Sequence, residues 1–172
     1  PGYIGAYIPG VRENGGQYTH AAVWFCRALF SVGRNREAYD ILRLLNPVAH
    51  TMSVENVERY RKEPYVLAAD VYTNRAHYGM GGWTWYTGSA GWYLRCVYEN
   101  VLGITRRGDR VFFSPPPDIF RLGFAFELLV ENTSFSVTAD FSPRSELFVD
   151  GMLADFAVLD GKHHSVEIYM KK

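Results

Sequence analysis

The amino-acid sequence predicts an α+β chain in two parts, helical as far as Gly103 and strand-rich from Ile104 onward. Three observations lead there. Apolar residues recur at three-and-four spacing up to Leu102, the repeat then shortens to that of strands, and turn residues divide the later part into short runs. With 172 residues, 48% of them hydrophobic, the chain can bury one ordinary core or two small ones, which excludes a disordered tail.

The first twelve residues alternate Gly, Pro, Tyr and Ile, which favours an extended, pinned loop over a helix. The run Glu13-Asn14-Gly15-Gly16-Gln17-Tyr18-Thr19-His20 leads into a nearly all-apolar helix over residues 21–32, which must be buried on most sides, and Gly33 ends it. Asn35 then caps a second helix over residues 36–45, stopped by Asn46-Pro47. Ser53 opens a third over 54–61. Pro64 suits the first position of a fourth over 65–72, with Glu63 and Asp70 as its acidic members. A fifth follows Thr87, with Ala90, Leu94, Val97, Val101 and Leu102 on one face and Gly103 as its left-handed stop.

In the second part, residues 111–113, 124–130, 135–139, 146–149 and 165–170 are rich in β-branched and aromatic residues. Pro115-Pro116-Pro117, Glu131-Asn132, Asp150-Gly151 and Asp160-Gly161 separate them, which predicts an antiparallel sheet. His163-His164 reads as turn chemistry at a strand start, with metal binding the lesser reading. This part carries no catalytic constellation.

The most informative stretch is Gly81-Gly82-Trp83-Thr84-Trp85-Tyr86-Thr87-Gly88-Ser89-Ala90-Gly91-Trp92. Trp83, Trp85 and Tyr86 offer flat apolar faces with polar edges, as sugar rings require. Thr87 at a helix start, followed by Gly88 and Ser89, aims a hydroxyl and unpaired N–H groups at one spot, where the helix dipole favours an anion such as phosphate. Thr87 alone reads as a simple cap; the whole cluster reads as a binding loop. His20, in the first turn after another glycine pair, reads equally as a structural residue or as an anion donor.

Lysine plus arginine equals aspartate plus glutamate at 18 each, so no overall field favours nucleic acid or an anionic membrane, and anion binding must be local. Cys26 and Cys96 lie in apolar runs without metal-ligand spacing, which predicts buried free thiols, no metal site and a reducing, cytoplasmic setting. The chain opens on Pro1, in a loop without a preceding element, and reads as a piece of something longer.

Three runs in this order resemble glycoside hydrolase family 94: Arg12-Glu13-Asn14-Gly15-Gly16-Gln17-Tyr18-Thr19-His20, Glu63-Pro64-Tyr65-Val66-Leu67-Ala68-Ala69-Asp70, and the Gly82 to Trp92 stretch. The resemblance covers essentially the whole chain, and its wording is nearest to the family's β-1,2-glucan branch. Ala69 stands where the cellobiose and chitobiose branches carry a sugar-contacting glutamine. The resemblance implies the last helices of an (α/α)6 toroid in residues 1–103 and an antiparallel, β-sandwich-like domain in 104–172. It implies inverting phosphorolysis of a β-linked, β-1,2-linked, oligosaccharide, with inorganic phosphate as co-substrate and no cofactor. By the same likeness His20 and Thr87 bind phosphate and Glu13 binds sugar; Gly88 joins the phosphate set beside Thr87, and Tyr18, Trp83, Trp85 and Tyr86 make up the rest of the expected sugar surface. The complete protein is expected to be a homodimer.

In inverting phosphorolysis one acid protonates the glycosidic oxygen and phosphate attacks the anomeric carbon from the opposite face, so a second carboxylate base is unnecessary. The family's general-acid aspartate and a phosphate-binding arginine belong to an upstream motif that these 172 residues do not contain, and no motif places Asp70 or Glu63 in that role. Three classes therefore stay open: a phosphorylase fragment inactive by itself, an inverting glycosidase on the same toroid, and a carbohydrate-binding piece without chemistry.

Overall fold

The structure, a computed structural model, describes residues 2–85 and 88–172, and is a mixture of helix and sheet. Two compact units, Pro1–Cys96 and Val97–Lys172, divide it.

In the first unit, α1 (Thr19–Ser31) buries Thr19, Val23, Cys26, Leu29 and Phe30, a three-and-four stripe that packs on α2 and α4. Gly33, at φ +76°, turns the chain out of it. The next helix, α2 (Asn35–Leu44), buries Ala38 and Leu42. Its cap position is Arg34, not Asn35, and Arg34 reaches forward to pair with Glu37. Ser53 caps α3 (Val54–Tyr60) by accepting the Asn56 N–H at 3.2 Å, and Arg61, at φ +56°, ends it. Finally, α4 (Ser89–Cys96) buries Ser89 and Cys96, and its Tyr93 hydroxyl donates to the Leu42 carbonyl at 3.2 Å.

The fourth expected helix, over 65–72, does not form. Residues 66–70 are buried one after another, which no single helical face allows. Their backbone groups are taken by distant partners: the Ala69 N–H by the Trp83 carbonyl at 2.6 Å, the Ala69 carbonyl by the Thr19 N–H at 2.9 Å. A short strand pair results, β1 (Gln17–Tyr18) antiparallel to β2 (Asp70–Val71). The loop before β1 is tied to the segment after β2, with the Thr73 hydroxyl donating to the Gly15 carbonyl at 2.7 Å and the Asn74 amide to the Pro9 carbonyl at 2.9 Å.

The second unit opens on a π-helical turn, Val97–Val101. Gly103 follows at φ +68°, where any Cβ would lie 2.1 Å from the Ser114 carbonyl carbon, so glycine is required twice over. The strands β3 (Ile104–Arg107), β4 (Arg110–Phe113) and β9 (Ala157–Val158) form an antiparallel sheet. A second sheet has the order β5 (Phe124–Val130), β6 (Thr133–Ser142), β10 (His163–Lys171), β7 (Glu146–Val149), β8 (Met152–Leu153). Asp150-Gly151, at φ 52° and 77°, closes the β7–β8 hairpin as an Asp-Gly pair should.

One expectation is corrected here. The sheet is mixed, because β10 enters between β6 and β7, antiparallel to β7 and therefore parallel to β6. Turn residues report that consecutive strands reverse; they carry no information about a later strand inserting between them. The two sheets share one apolar cluster that includes Val111, Phe113, Phe135, Val137, Val166 and Ile168, with Phe113 edge-on to Phe135 at 5.9 Å.

Candidate sugar and anion site

The first unit contains a cavity of about 140 Å³ lined by Arg12, Tyr18, His20, Ala69, Trp83, Thr84 and Gly88. Three chain segments build it. The glycine-rich turn before β1 places Arg12, with Gly16 donating to the Arg12 carbonyl at 2.9 Å; a Cβ on Gly16 would lie 2.7 Å from the Arg12 nitrogen. The start of α1 places Tyr18 and His20, and the segment before α4 places Trp83, Thr84 and Gly88.

His20 sits in the first turn of α1, an end with no side-chain cap and no acidic residue, so the helix dipole there is open to an anion. Its ring packs edge-on against Trp24 at 4.9 Å, and a Cβ on Gly88 would lie 3.8 Å from its Cε1. Two residues selected for phosphate, 68 positions apart, are thus neighbours. His20 Nε2 is buried with no hydrogen-bond partner among the described residues. The same holds for Nε and Nη1 of Arg12. The Arg12 guanidinium lies over the Trp83 ring at 4.1 Å, and its Nε is 3.5 Å from Glu13 Oε2, an ion pair without hydrogen-bond geometry. Buried donors without partners are costly, so two residues that carry them and line one cavity suit an acceptor-rich ligand.

The selected residues divide accordingly. Tyr18, His20, Trp83 and Gly88 meet at the cavity, and Glu13 stands beside it through Arg12. Trp85 does not line it. That residue, exposed and at the positive φ of 72°, donates from its indole Nε1 to Glu63 Oε1 at 2.8 Å and meets Tyr65 edge-on at 6.1 Å. Tyr86 and Thr87 lie outside the described residues. Sequence reasoning missed Arg12, although it directly precedes Glu13; only the cavity shows that its guanidinium turns inward.

Neither acidic residue of the 63–70 run is disposed as an acid. Glu63 is held below the usual carboxylate range, first by the Trp85 indole N–H and then by backbone N–H, which keeps it ionised. Asp70 is pushed up by burial, against the opposing pull of the Arg12 backbone N–H and the Arg12 charge, but it does not line the cavity.

A larger cleft in the second unit, about 410 Å³ and lined by Phe113, Glu146 and Tyr169 among others, brings together none of the selected residues. Among the described residues no group of histidines, cysteines and carboxylates is arranged to hold a metal ion. His164 instead bridges Asp150 Oδ2 at 2.7 Å and Asp160 Oδ1 at 3.0 Å. Cys26 and Cys96 are buried and form no disulfide, and burial followed by the nearby Cys96 pushes the Cys26 thiol up to about 12. No helix among the described residues is long and apolar enough to cross a membrane.

Residues 1–103 match the model of the glycosyl hydrolase 94 superfamily, catalytic domain, and the chain belongs to that family. It is similar to the cyclic beta-(1,2)-glucan synthase NdvB of Rhizobium meliloti (strain 1021), 49% identical over 145 residues, which are 84% of this chain and 5% of that protein. A 1,2-beta-oligoglucan phosphorylase of Listeria innocua serovar 6a is 27% identical over 156 residues, 81% of this chain and 14% of its own length. An N,N'-diacetylchitobiose phosphorylase of Vibrio furnissii is 25% identical over 116 residues, 66% of this chain and 14% of its own. The chain therefore spans only a small part of each of these relatives.

Proposed function

We propose that this chain supplies the phosphate side and part of the sugar wall of an inverting β-glucoside phosphorylase site, acting on β-1,2-linked glucooligosaccharides to give a sugar 1-phosphate. One observation supports the reading: His20 and Arg12, each with a buried nitrogen that has no hydrogen-bond partner among the described residues, line one cavity with Tyr18 and Trp83. The β-1,2 linkage rests on the names of two relatives, a cyclic beta-(1,2)-glucan synthase and a 1,2-beta-oligoglucan phosphorylase, which match 84% and 81% of this chain. In this reading the helices of residues 1–103 complete an (α/α)6 toroid. His20 and the first turn of α1, with Thr87 and Gly88, hold phosphate so that one of its oxygens attacks the anomeric carbon. The glycosidic oxygen leaves from the opposite face and takes its proton from a general acid outside residues 1–172, since Glu63 is held ionised and Asp70 does not reach the cavity.

The test uses the full-length protein. Replacing His20 with alanine should raise the KM for phosphate and lower turnover, together worth roughly 2–4 kcal/mol of transition-state stabilisation. Sugar 1-phosphate release with unaltered phosphate dependence in that variant would sink the assignment. Release of free sugar alone, indifferent to phosphate, would favour an inverting glycosidase. Oligosaccharide binding without either product would leave a binding module.

A further inference from the structure

We propose that Asp70 is a positioning residue for this site: a buried carboxylate that holds the Arg12 turn and the Trp83 segment on either side of the cavity without touching the ligand itself. The proposal rests on the reading of the cavity given above. Asp70 is 1% exposed. Its Oδ2 accepts the Arg12 backbone N–H at 3.0 Å, and the Trp83 backbone N–H also donates to the carboxylate. Its main chain makes two further ties. Asp70 pairs with Tyr18 across β1 and β2, and its carbonyl accepts the Gly82 N–H at 2.8 Å. One residue thus joins the three segments that carry Arg12, Tyr18 and Trp83.

Local backbone geometry is shaped around this carboxylate. A Cβ on Gly82 would lie 1.9 Å from Asp70 Oδ1 and 2.7 Å from its Cγ, so no side chain fits there while the carboxylate stays in place. Arg12 holds φ +50°, unusual for a non-glycine residue, and in that conformation its N–H meets Asp70. The charged groups facing Asp70 are the Arg12 guanidinium, which attracts it, and Glu13, which repels it. A carboxylate accepts two N–H groups at once; an asparagine presents one oxygen and an NH₂ that faces the second N–H donor. The expected consequence of losing it is displacement of Arg12 and Trp83 rather than loss of a ligand contact, and misplacement of about 1 Å can cost on the order of 10²-fold in rate.

Asp70→Asn in the full-length protein should lower kcat/KM for phosphorolysis by tenfold or more at temperatures well below unfolding. Arg12→Ala should then cost several-fold less in the Asp70→Asn background than in the wild type, because the guanidinium is already displaced. Amide exchange at Arg12 and Trp83 should quicken at least tenfold in Asp70→Asn, a readout independent of any activity. Unchanged exchange at both amides overturns the proposal even where phosphorolysis and its His20 dependence stand. Quickened exchange with strictly additive kinetics assigns Asp70 to stability alone and overturns it too. Should His20→Ala and Arg12→Ala both leave phosphorolysis intact, the functional reading fails instead, and the exchange result still decides Asp70. If Asp70→Asn does not fold, Gly82→Ala, which displaces the carboxylate while leaving it present, should reproduce the exchange and kinetic losses; wild-type behaviour there is the overturning result.

Discussion

The guanidinium of Arg12 lies 4.1 Å from the centre of the Trp83 ring, and both residues line the same cavity. The stack keeps a planar cation against the aromatic wall while two of its nitrogens stay without hydrogen-bond partners among the described residues. An arginine held this way offers a fixed fork of donors, which a lysine cannot copy.

The first prediction follows from that geometry. In the full-length protein Arg12→Ala should lower kcat/KM for phosphorolysis at least tenfold, and Arg12→Lys should recover only a minor part, since it restores charge but neither the stack nor the fork. Steady-state kinetics with phosphate and oligosaccharide varied separately measure this. Full recovery by lysine would show that charge alone matters.

A second prediction concerns pH and the His164 bridge. Hydrogen bonding to Asp150 raises the His164 pKa, burial opposes it, and Asp160 adds to the rise. A raised histidine contributes stability that is present below the unfolded value of about 6.5 and is lost as pH climbs through the folded pKa. Asp150 is lowered, first by His164, and Asp160 is lowered, first by Lys162, so their contribution is present above about 4 and is lost as pH falls. Amides at the start of β10 should therefore be best protected between about pH 4 and 6.5. Hydrogen exchange across this range checks it: His164→Gln should flatten the loss on the alkaline side, and an unchanged profile in that variant would refute the bridge.

A third prediction comes from the helices of the first unit. Trp24 and Phe25 on α1 are 53% and 55% exposed, and Leu44 on α2 is 68% exposed. Large apolar side chains at this exposure on two packed helices are expected to be covered in the full-length protein. The isolated 172-residue polypeptide should bind a hydrophobic dye strongly and self-associate. A monomeric, cooperatively folding chain without dye binding, judged by light scattering and thermal unfolding, would contradict this.

What could be read from the sequence is what neighbours along the chain decide. The Ser53 cap and the Asp150-Gly151 turn each express a local steric or hydrogen-bonding preference, and each stands in the structure where the sequence placed it. By contrast α1, expected to be buried on most sides, buries only one stripe and leaves Trp24 and Phe25 exposed. The aromatic and glycine cluster reads as a binding surface from the sequence, and in the structure its Gly88 lies beside the ring of His20. Tertiary structure decided the rest. Residues 66–70 gave up the helix that Pro64 invites because Thr19, Trp83 and Gly82 satisfy their backbone groups from elsewhere in the chain. The insertion of β10 between β6 and β7 buries Val166 and Ile168 against Val137 and Ala139, a gain that no turn signal encodes. Arg12 and Asp70 stand 58 residues apart, and nothing in either neighbourhood shows that one amide will meet the other carboxylate. Local preference is written in short spacings; a buried hydrogen bond between distant segments depends on where the whole chain carries them, and that is decided only when the core closes.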